Sequence, residues 1–347
     1  MKIVFHSNQI SERGTETAII DYAFANEKYL GNESIIAFPA DKIFNQERYN
    51  FFKENFKLIG YTTLEELHYI LEKEGIDVLY AIEDGESYPD ISDRLPPIKS
   101  YKTFVHAVFS VKRKHGDYYC PIHGFLNKFY HTSYPVLPHI VSPFKGTDDT
   151  LRDKLHIPAD ATVFGCYGGK ESFDIRFVQE CVQEIALKNE TTYFIFLNIQ
   201  PFVKYDGKNI IFLPGTTDLD YKEKFINTVD AMLHARSDGE TFGLAVGEFS
   251  IKNKPVITYK PALLIRAKDL FCSFLGKRPR YAVAHLENLG NCAITYTNQK
   301  ELSYILQNID DILDNHGRGK SYDCFSEKFS AEKVMEIFDE IIRGDEI

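Results

Sequence analysis

The run Asp230-Ala-Met-Leu-His-Ala-Arg-Ser-Asp-Gly-Glu-Thr-Phe-Gly-Leu-Ala-Val-Gly-Glu248, with Pro255-Val-Ile-Thr-Tyr259 soon after it, decides how this chain is read. Its apolar stretch 231–234 has the length of a short buried strand, and Gly243 stands where a loop enters a helix expected over 243–252. Two acids, Glu240 and Glu248, flank that glycine at a separation of eight positions. A helix N-terminus exposes unpaired backbone N–H groups, so a carboxylate or a bound anion placed there is stabilised by them. Two glutamates at this spacing are also common on solvated helix faces. The glycine, the apolar flanks and the Pro-Val strand are what make the pair a candidate site.

Outward from this run the chain alternates short apolar stretches with helical ones. Strands are expected at 2–6, 34–38, 77–81 and 103–108, with a helix beginning near Ala18 and another over 63–74. Residues 139–160, with Pro143, Gly146, a short charged helix and Pro158, read as a boundary. A second series follows: strands at 162–166, 193–197, 210–213, 231–234, 255–259 and 293–295, and helices at 175–188, 221–228, 299–315 and 331–343. Fully apolar strands separated by helices predict parallel sheets covered on both faces, an α/β class with two Rossmann-like domains in series. Such sheets bind ligands beyond the carboxyl ends of their strands, so an interdomain cleft is the expected site.

Composition narrows the classes. At 347 residues the chain has room for about two domains, each with its own core. Forty Lys and Arg against 50 Asp and Glu give a net charge of −10, and 44% of residues are hydrophobic. This is a globular balance, unlike that of a disordered chain or a basic nucleic-acid binder. Six scattered Cys in a chain that needs no staples predict free thiols and a reducing, cytoplasmic compartment. No secretory leader and no apolar run of about 18 residues is present, so no transmembrane segment is expected, and peripheral contact with a membrane stays open.

The run 230–248 resembles the acid-x7-acid signature of glycosyltransferase family 4, retaining enzymes of the GT-B fold with two Rossmann-like domains. Asp230, Glu240, Phe242, Gly243, Leu244, Glu248, Pro255 and Val256 stand where that pattern wants them, while Thr241 replaces the usual Gly and Phe249 the usual Ala. The resemblance implies an acceptor-side domain over 1–150, a nucleotide-sugar domain over 151–325, and a final segment 326–347 whose helix crosses back to the first domain. It implies that Glu240 lies against the donor sugar and supports an oxocarbenium-like centre, and that Glu248 holds the nucleotide ribose. The N–H groups of Phe242, Gly243 and Leu244 would face the diphosphate or the sugar, stabilising charge where it develops. The segment 213–215 with Tyr221 resembles the loop and helix that flank the base.

His106, near the end of the apolar run 103–107, matches a family histidine beside the donor sugar's hydroxyls, and His6 at the end of the first strand competes with it. Gly14, Thr15 and Glu16 occupy the first strand-to-helix loop, where the family carries a glycine pair near the reacting end of the donor or the acceptor. The loop Cys166-Tyr-Gly168-Gly169-Lys170 reads as a phosphate cradle, with Lys170 neutralising the diphosphate. No Arg directly follows Gly168, so Arg176 and Arg236 are the further basic candidates. For each of these the plainer reading is a turn glycine, a packed histidine or a solvated base.

His115, Cys120, His123 and His131 lack the second ligand pair of a zinc site, and the aromatic residues around them suggest an acceptor-facing loop or core packing. Asp218-Leu-Asp220 has the letters of a metal-diphosphate motif but reads as a helix cap. The resemblance implies no metal and no cofactor, only a UDP- or GDP-sugar donor and a sugar, glycan or glycoconjugate acceptor. The expected reaction is hexosyl transfer to a hydroxyl with retention. The alternatives are an epimerase of the same form and a noncatalytic binding or scaffold protein. An NAD-dependent oxidoreductase fits poorly, because Ser7-Asn-Gln replaces a G-x-G-x-x-G turn.

Overall fold

A computed structural model describes residues 1–11, 14–86, 89–204, 207–262, 267–269, 272–273, 275, 277–315 and 321–344. The chain divides into two compact units, Met1–Ser142 with Cys272–Arg278 and Phe329–Ile347, and Pro143–Phe271 with Pro279–Lys328.

The first unit is built on β1 (Lys2–His6), β2 (Glu33–Pro39), β3 (Lys57–Tyr61), β4 (Val78–Glu83), β5 (Lys102–Ala107) and β6 (Tyr118–Pro121). They form one parallel sheet in the order β3-β2-β1-β4-β5-β6, with Val4 paired to Ile35 on one side and Leu79 on the other. Its helices are α1 (Gly14–Leu30), α2 (Gln46–Asn55), α3 (Leu64–Glu74), α4 (Ile91–Arg94) and α5 (Gly124–Tyr130). Local chemistry sets their ends: Thr63 caps α3 by accepting from the Glu66 amide at 3.2 Å, and Gly75 ends it in the left-handed region.

In the second unit the strands are β7 (Thr162–Tyr167), β8 (Thr192–Leu197), β9 (Ile210–Leu213), β10 (Ala231–His234), β12 (Val256–Tyr259) and β14 (Ala293–Tyr296). Their order is β14-β12-β10-β7-β8-β9, again all parallel, with Met232 of β10 between Gly165 and Val256. Both sheets follow the doubly wound order 3-2-1-4-5-6. A separate short pair joins β11 (Gly239–Glu240) to β13 (Ala282–Val283). The helices are α6 (Arg176–Lys188), α7 (Leu219–Thr228), α8 (Leu244–Ile251), α9 (Ala284–Leu289), α10 (Gln299–Gln307), α11 (Ile309–Asn315) and α12 (Ser326–Phe329). The single helix expected over 299–315 is broken at Asn308, which caps the end of α10.

The last helix, α13 (Ala331–Arg343), belongs to the first unit. It buries Val334, Met335, Phe338, Ile341 and Ile342, and the Phe338 ring lies 5.2 Å from Phe104 and 6.0 Å from Tyr80. Side chains of this kind stabilise by about 1.5–3 kcal/mol each when fully buried. Four strands lay outside the expected set, β3 and β6 in the first unit and the short pair β11 and β13 in the second. The aromatic residues 118–130 are largely core: Tyr119, Phe125 and Phe129 are buried on β6 and α5.

One expectation is corrected here. Cys292 and Cys324 form a disulfide, while Cys120, Cys166, Cys181 and Cys272 are free and buried. The residues just before Cys324 are fastened by Asn253 and Ser250: Asn253 Oδ1 accepts from the Tyr322 amide at 2.7 Å, and Ser250 Oγ accepts from the Cys324 amide at 3.0 Å. Contacts so distant in sequence cannot be read from cysteine spacing. Among the described residues, no helix is long and apolar enough to cross a membrane.

Candidate functional site

In the second unit the winding reverses between β7 and β10, the place where doubly wound sheets bind ligands. Beyond His234, the last residue of β10, the chain turns back through Gly239 to place Glu240 on β11. A side chain at Gly239 would run into the Ala282 carbonyl, so glycine is what lets β11 pair with β13. Gly243 caps α8 at φ 91°, and a Cβ there would sit 3.0 Å from that of His285. The two glycines bring Glu240, the amino end of α8 and His285 together.

The Glu240 carboxylate is held at both oxygens. His234 Nε2 lies 3.4 Å from Oε1, and Arg236 donates Nη1–H to Oε2 at 2.9 Å. Burial pushes this carboxyl up, but the His234 hydrogen bond and the Arg236 guanidinium outweigh it and hold it down at about 2. The group is therefore a fixed negative charge at neutral pH. Behind it, Thr258, Tyr281 and His285 are buried, and burial drives the His285 imidazole down to about 3.

Glu248 lies on the second turn of α8, where Lys222 donates to its Oε1 at 2.6 Å. The Lys222 ammonium also sits 4.9 Å from the ring centroid of Tyr167, the last residue of β7. Phe242 is buried, and its carbonyl accepts from Asn288 Nδ2 at 3.3 Å. Leu244 is the first residue of α8, half-buried.

The loop after β7 differs from the expected cradle. Gly168 and Gly169 lie in a turn closed by Ser172, whose N–H and Oγ–H donate to the Gly169 carbonyl at 2.9 and 2.8 Å. Helix α6 starts only at Arg176, because Asp174 is drawn aside: its carboxylate takes the Ser237 amide at 2.7 Å and the Ser237 hydroxyl at 2.5 Å. The glycines therefore do not sit on the helix's amino end. The carbonyls of Gly168 and Lys170 are fastened by Asn198 and Gln200 at 2.9 and 2.8 Å, leaving the Lys170 side chain exposed. Arg176 pairs with Glu180 one turn along α6. Asp218 caps α7, accepting from the Asp220 and Tyr221 amides at 2.9 and 3.2 Å.

The first unit has its own cavity at the corresponding reversal between β1 and β4. It measures about 280 Å3 and includes His6, Thr15, Glu16, Glu83, Asp84 and Phe109 in its lining. Glu16 accepts from Ser11 Oγ and Thr15 Oγ1 at 2.9 and 2.8 Å. Burial, with the negative charges of Asp90 and Asp84, pushes the Glu83 carboxyl up to about 8. Burial, with Lys42, lowers the His6 imidazole to about 3. Gly14 begins α1 with open space around its Cα.

His106, on β5, is fully buried and is not among the residues lining the first unit's cavity. Its Nε2–H donates to the Leu137 carbonyl at 2.7 Å, and its Nδ1 accepts from the Tyr80 hydroxyl at 2.5 Å. Burial, then His139, pushes its imidazole well below the ordinary range. The four residues considered for zinc have separate duties. His115 pairs with Asp90, Cys120 is buried in β6, His123 caps α5 by accepting from the Phe125 amide at 3.0 Å, and His131 ends that helix. Among the described residues, no group of three or more His, Cys, Asp or Glu is placed to hold a metal ion.

Sequence reasoning missed His234, Lys222, Thr258, Tyr281, His285 and Glu83. The one available signal was a polar residue closing an apolar strand, as His234 closes β10 and Glu83 closes β4.

No protein-family model and no curated protein sequence matches the chain. Solved structures do match. A glycosyltransferase from Rickettsia africae ESF-5 superposes with a TM-score of 0.70 at 13% identity, covering 99% of this chain and 98% of that one. Anabaena Alr3699/HepE in complex with UDP-glucose gives 0.68 at 14%, covering 99% of each chain. WaaG, a glycosyltransferase involved in lipopolysaccharide biosynthesis, gives 0.60 at 11%, covering 99% and 100%. At such identities the likeness concerns architecture: two parallel six-stranded α/β units in the GT-B fold.

Proposed function

We propose that this protein is a retaining glycosyltransferase that moves a sugar from a nucleoside diphosphate sugar to a hydroxyl of a sugar, glycan or glycoconjugate. The observation that carries the reading is Glu240, an ionised carboxylate clamped by His234 and Arg236 at the winding reversal of the second unit. The UDP-glucose complex of the Anabaena protein of the same fold supports a uridine donor as the first to test, with GDP-sugars next.

In this reading the donor lies on the second unit. Glu240 accepts from the sugar's hydroxyls and supports positive charge at the anomeric carbon. Backbone N–H groups at Phe242, Gly243 and Leu244 face the diphosphate side, with Arg236 and the exposed Lys170 as its cationic partners. Gly168 and Gly169 allow the diphosphate to approach the backbone. Glu248, steadied by Lys222, takes the ribose hydroxyls. The bond from the anomeric carbon to the phosphate oxygen breaks, the acceptor oxygen bonds to that carbon on the same face, and the acceptor's proton passes to the leaving phosphate oxygen. Stabilising donors of this kind are worth about 10²–10³ in rate each. No metal enters the scheme.

The acceptor's hydroxylated end is assigned to the first unit's cavity, where Thr15, Glu16, Glu83 and Asp84 supply polar groups and Phe109 an apolar face. Gly14 opens α1 beside it. His106 enters as a tie between β5 and the 137–139 segment, since both ring nitrogens are engaged.

The test is a donor screen with UDP-, GDP- and ADP-sugars, with and without sugar acceptors, following free nucleoside diphosphate and new glycoside together. Turnover with one donor, α-linkage retained from an α-donor, and its loss in Glu240→Gln are expected. An inverted sugar still attached to its nucleotide would make the protein an epimerase, and no binding of any sugar nucleotide would sink the reading.

A further inference from the structure

Glu240 is reached by a line of buried polar side chains drawn from three separate elements and the loop before β13. His234 of β10 and Thr258 of β12 are direct partners in the sheet register, and Thr258 Oγ1 lies 2.9 Å from His234 Nδ1. Thr258 Oγ1 is also 3.2 Å from Nε2 of His285 on α9, and the same Nε2 is 3.3 Å from the hydroxyl of Tyr281, just before β13. The Tyr281 hydroxyl donates to the Tyr259 carbonyl. None of the four side chains exceeds 4% exposure.

The end of the line sets its direction. A phenol has one proton, and Tyr281 gives it to a carbonyl, which can only accept. His285 Nε2–H is then shared as donor between Tyr281 and Thr258 Oγ1, and the far end of the line asks for the same direction, because the Glu240 carboxylate can only accept from His234 Nε2. The Thr258 hydroxyl, accepting from His285, turns its own hydrogen to His234 Nδ1. With Nδ1 accepting, the ring hydrogen of His234 lies on Nε2 and points at Glu240 Oε1. Each tautomer is thus fixed by the next partner rather than chosen freely.

We infer that His234 is a positioning residue for Glu240, delivered in its Nε2–H form by a one-way hydrogen-bond chain that runs from Tyr281 through His285 and Thr258. The inference rests on the reading of Glu240 as the group that supports the donor sugar. Arg236 fixes one carboxylate oxygen from the partly exposed side, and His234 fixes the other from the core. The Tyr296 hydroxyl, donating to the His234 carbonyl at 2.9 Å, holds the strand end still. The last link, at 3.4 Å, is the longest of the line.

Two measurements test this. Long-range 1H–15N correlation on the full chain should show His234 protonated at Nε2 and bare at Nδ1, and Thr258→Val should redistribute that proton. His234 carrying its hydrogen on Nδ1 in the unaltered protein would overturn the inference without any assay of activity. In the donor assay, His234→Leu and Thr258→Val should lower kcat by about tenfold or more with the donor KM little changed, and move the acidic limb of the kcat profile to higher pH. His234→Gln, which restores an N–H at similar reach, should recover most of the loss. Unchanged kcat and an unchanged acidic limb in both variants would overturn the positioning role. Full activity in Glu240→Gln would instead sink the reading of Glu240, and the tautomer result would still stand or fall by itself.

Discussion

The two units wind their strands in the same order and each places a glutamate beyond its central strands, yet the two glutamates meet opposite fates. Glu83 ends β4 beside Asp84 and Asp90, and burial with those like charges pushes its carboxyl up to about 8. Glu240 is half-buried, which also pushes its carboxyl up, but His234 and Arg236 hold it down at about 2. Burial acts in the same direction on both; the neighbours decide the sign. The second unit therefore presents a permanent anion braced by cationic and N–H donors. The first presents a carboxyl that is protonated near neutrality and can donate a hydrogen bond as well as accept one.

The largest expected effect separates the two glutamates by function. Glu240→Gln should lower kcat by about 10³, roughly 4 kcal/mol of transition-state stabilisation, while calorimetric binding of UDP is kept. A loss confined to KM would break the contrast by making Glu240 a ground-state contact.

Acid comes next. His6 and His285, with folded-state values of about 3, and His139 at about 4 all bind fewer protons than in the unfolded chain below its ordinary histidine range. Their contribution is whole above pH ~6.5 and is lost as pH falls toward 3. Glu240 adds a loss between pH ~4.5 and about 2. The Tm should fall steeply from pH 6.5 downward, and a flat profile between 6.5 and 4 would show that these imidazoles are not shielded.

Arg236→Met removes the charged partner of Glu240 and should cost about 2 kcal/mol in urea unfolding, between an exposed pair at ~1 and a fully buried one at ~3–5. Adding Glu240→Gln to it should return part of that loss. An additive double variant would mean that the pair, though 2.9 Å apart, is not coupled.

The smallest effect sharpens the first unit. Because the Glu83 carboxyl is raised, its cost to folding is absent below pH ~4.5 and grows as pH climbs to about 8. Glu83→Gln, which copies the protonated form, should leave the Tm nearly unchanged at pH 4 and raise it by several degrees at pH 9. An equal rise at pH 4 would point to packing instead of charge.

Much of the fold was legible. Strand β1 lies where the apolar run 2–6 predicts it, and α6, β8, β9, β10 and α13 fall close to their expected ranges. Strands buried on both faces leave continuous apolar runs that need no partner to be recognised. Strand β3 was harder, because Lys57 and Gly60 are exposed within its five residues, and β6 is four residues closed by Pro121. The site was legible only in its skeleton. Glu240, Gly243 and Glu248 stood out from their spacing, whereas Lys222, which is 26 positions from Glu248, gave no sign of being its partner.

The sequence by itself determined the alternation of strands and helices and the turn that carries Glu240, because apolar periodicity and glycine's access to positive φ are local properties of the chain. Only the tertiary structure decided that one glutamate is held ionised and the other protonated, that His234 is aimed from Tyr281, His285 and Thr258, and that Cys292 meets Cys324. Those outcomes depend on which charges and donors arrive from distant segments, and at a few ångströms inside a poorly polarisable interior such neighbours outweigh anything the adjoining residues can impose.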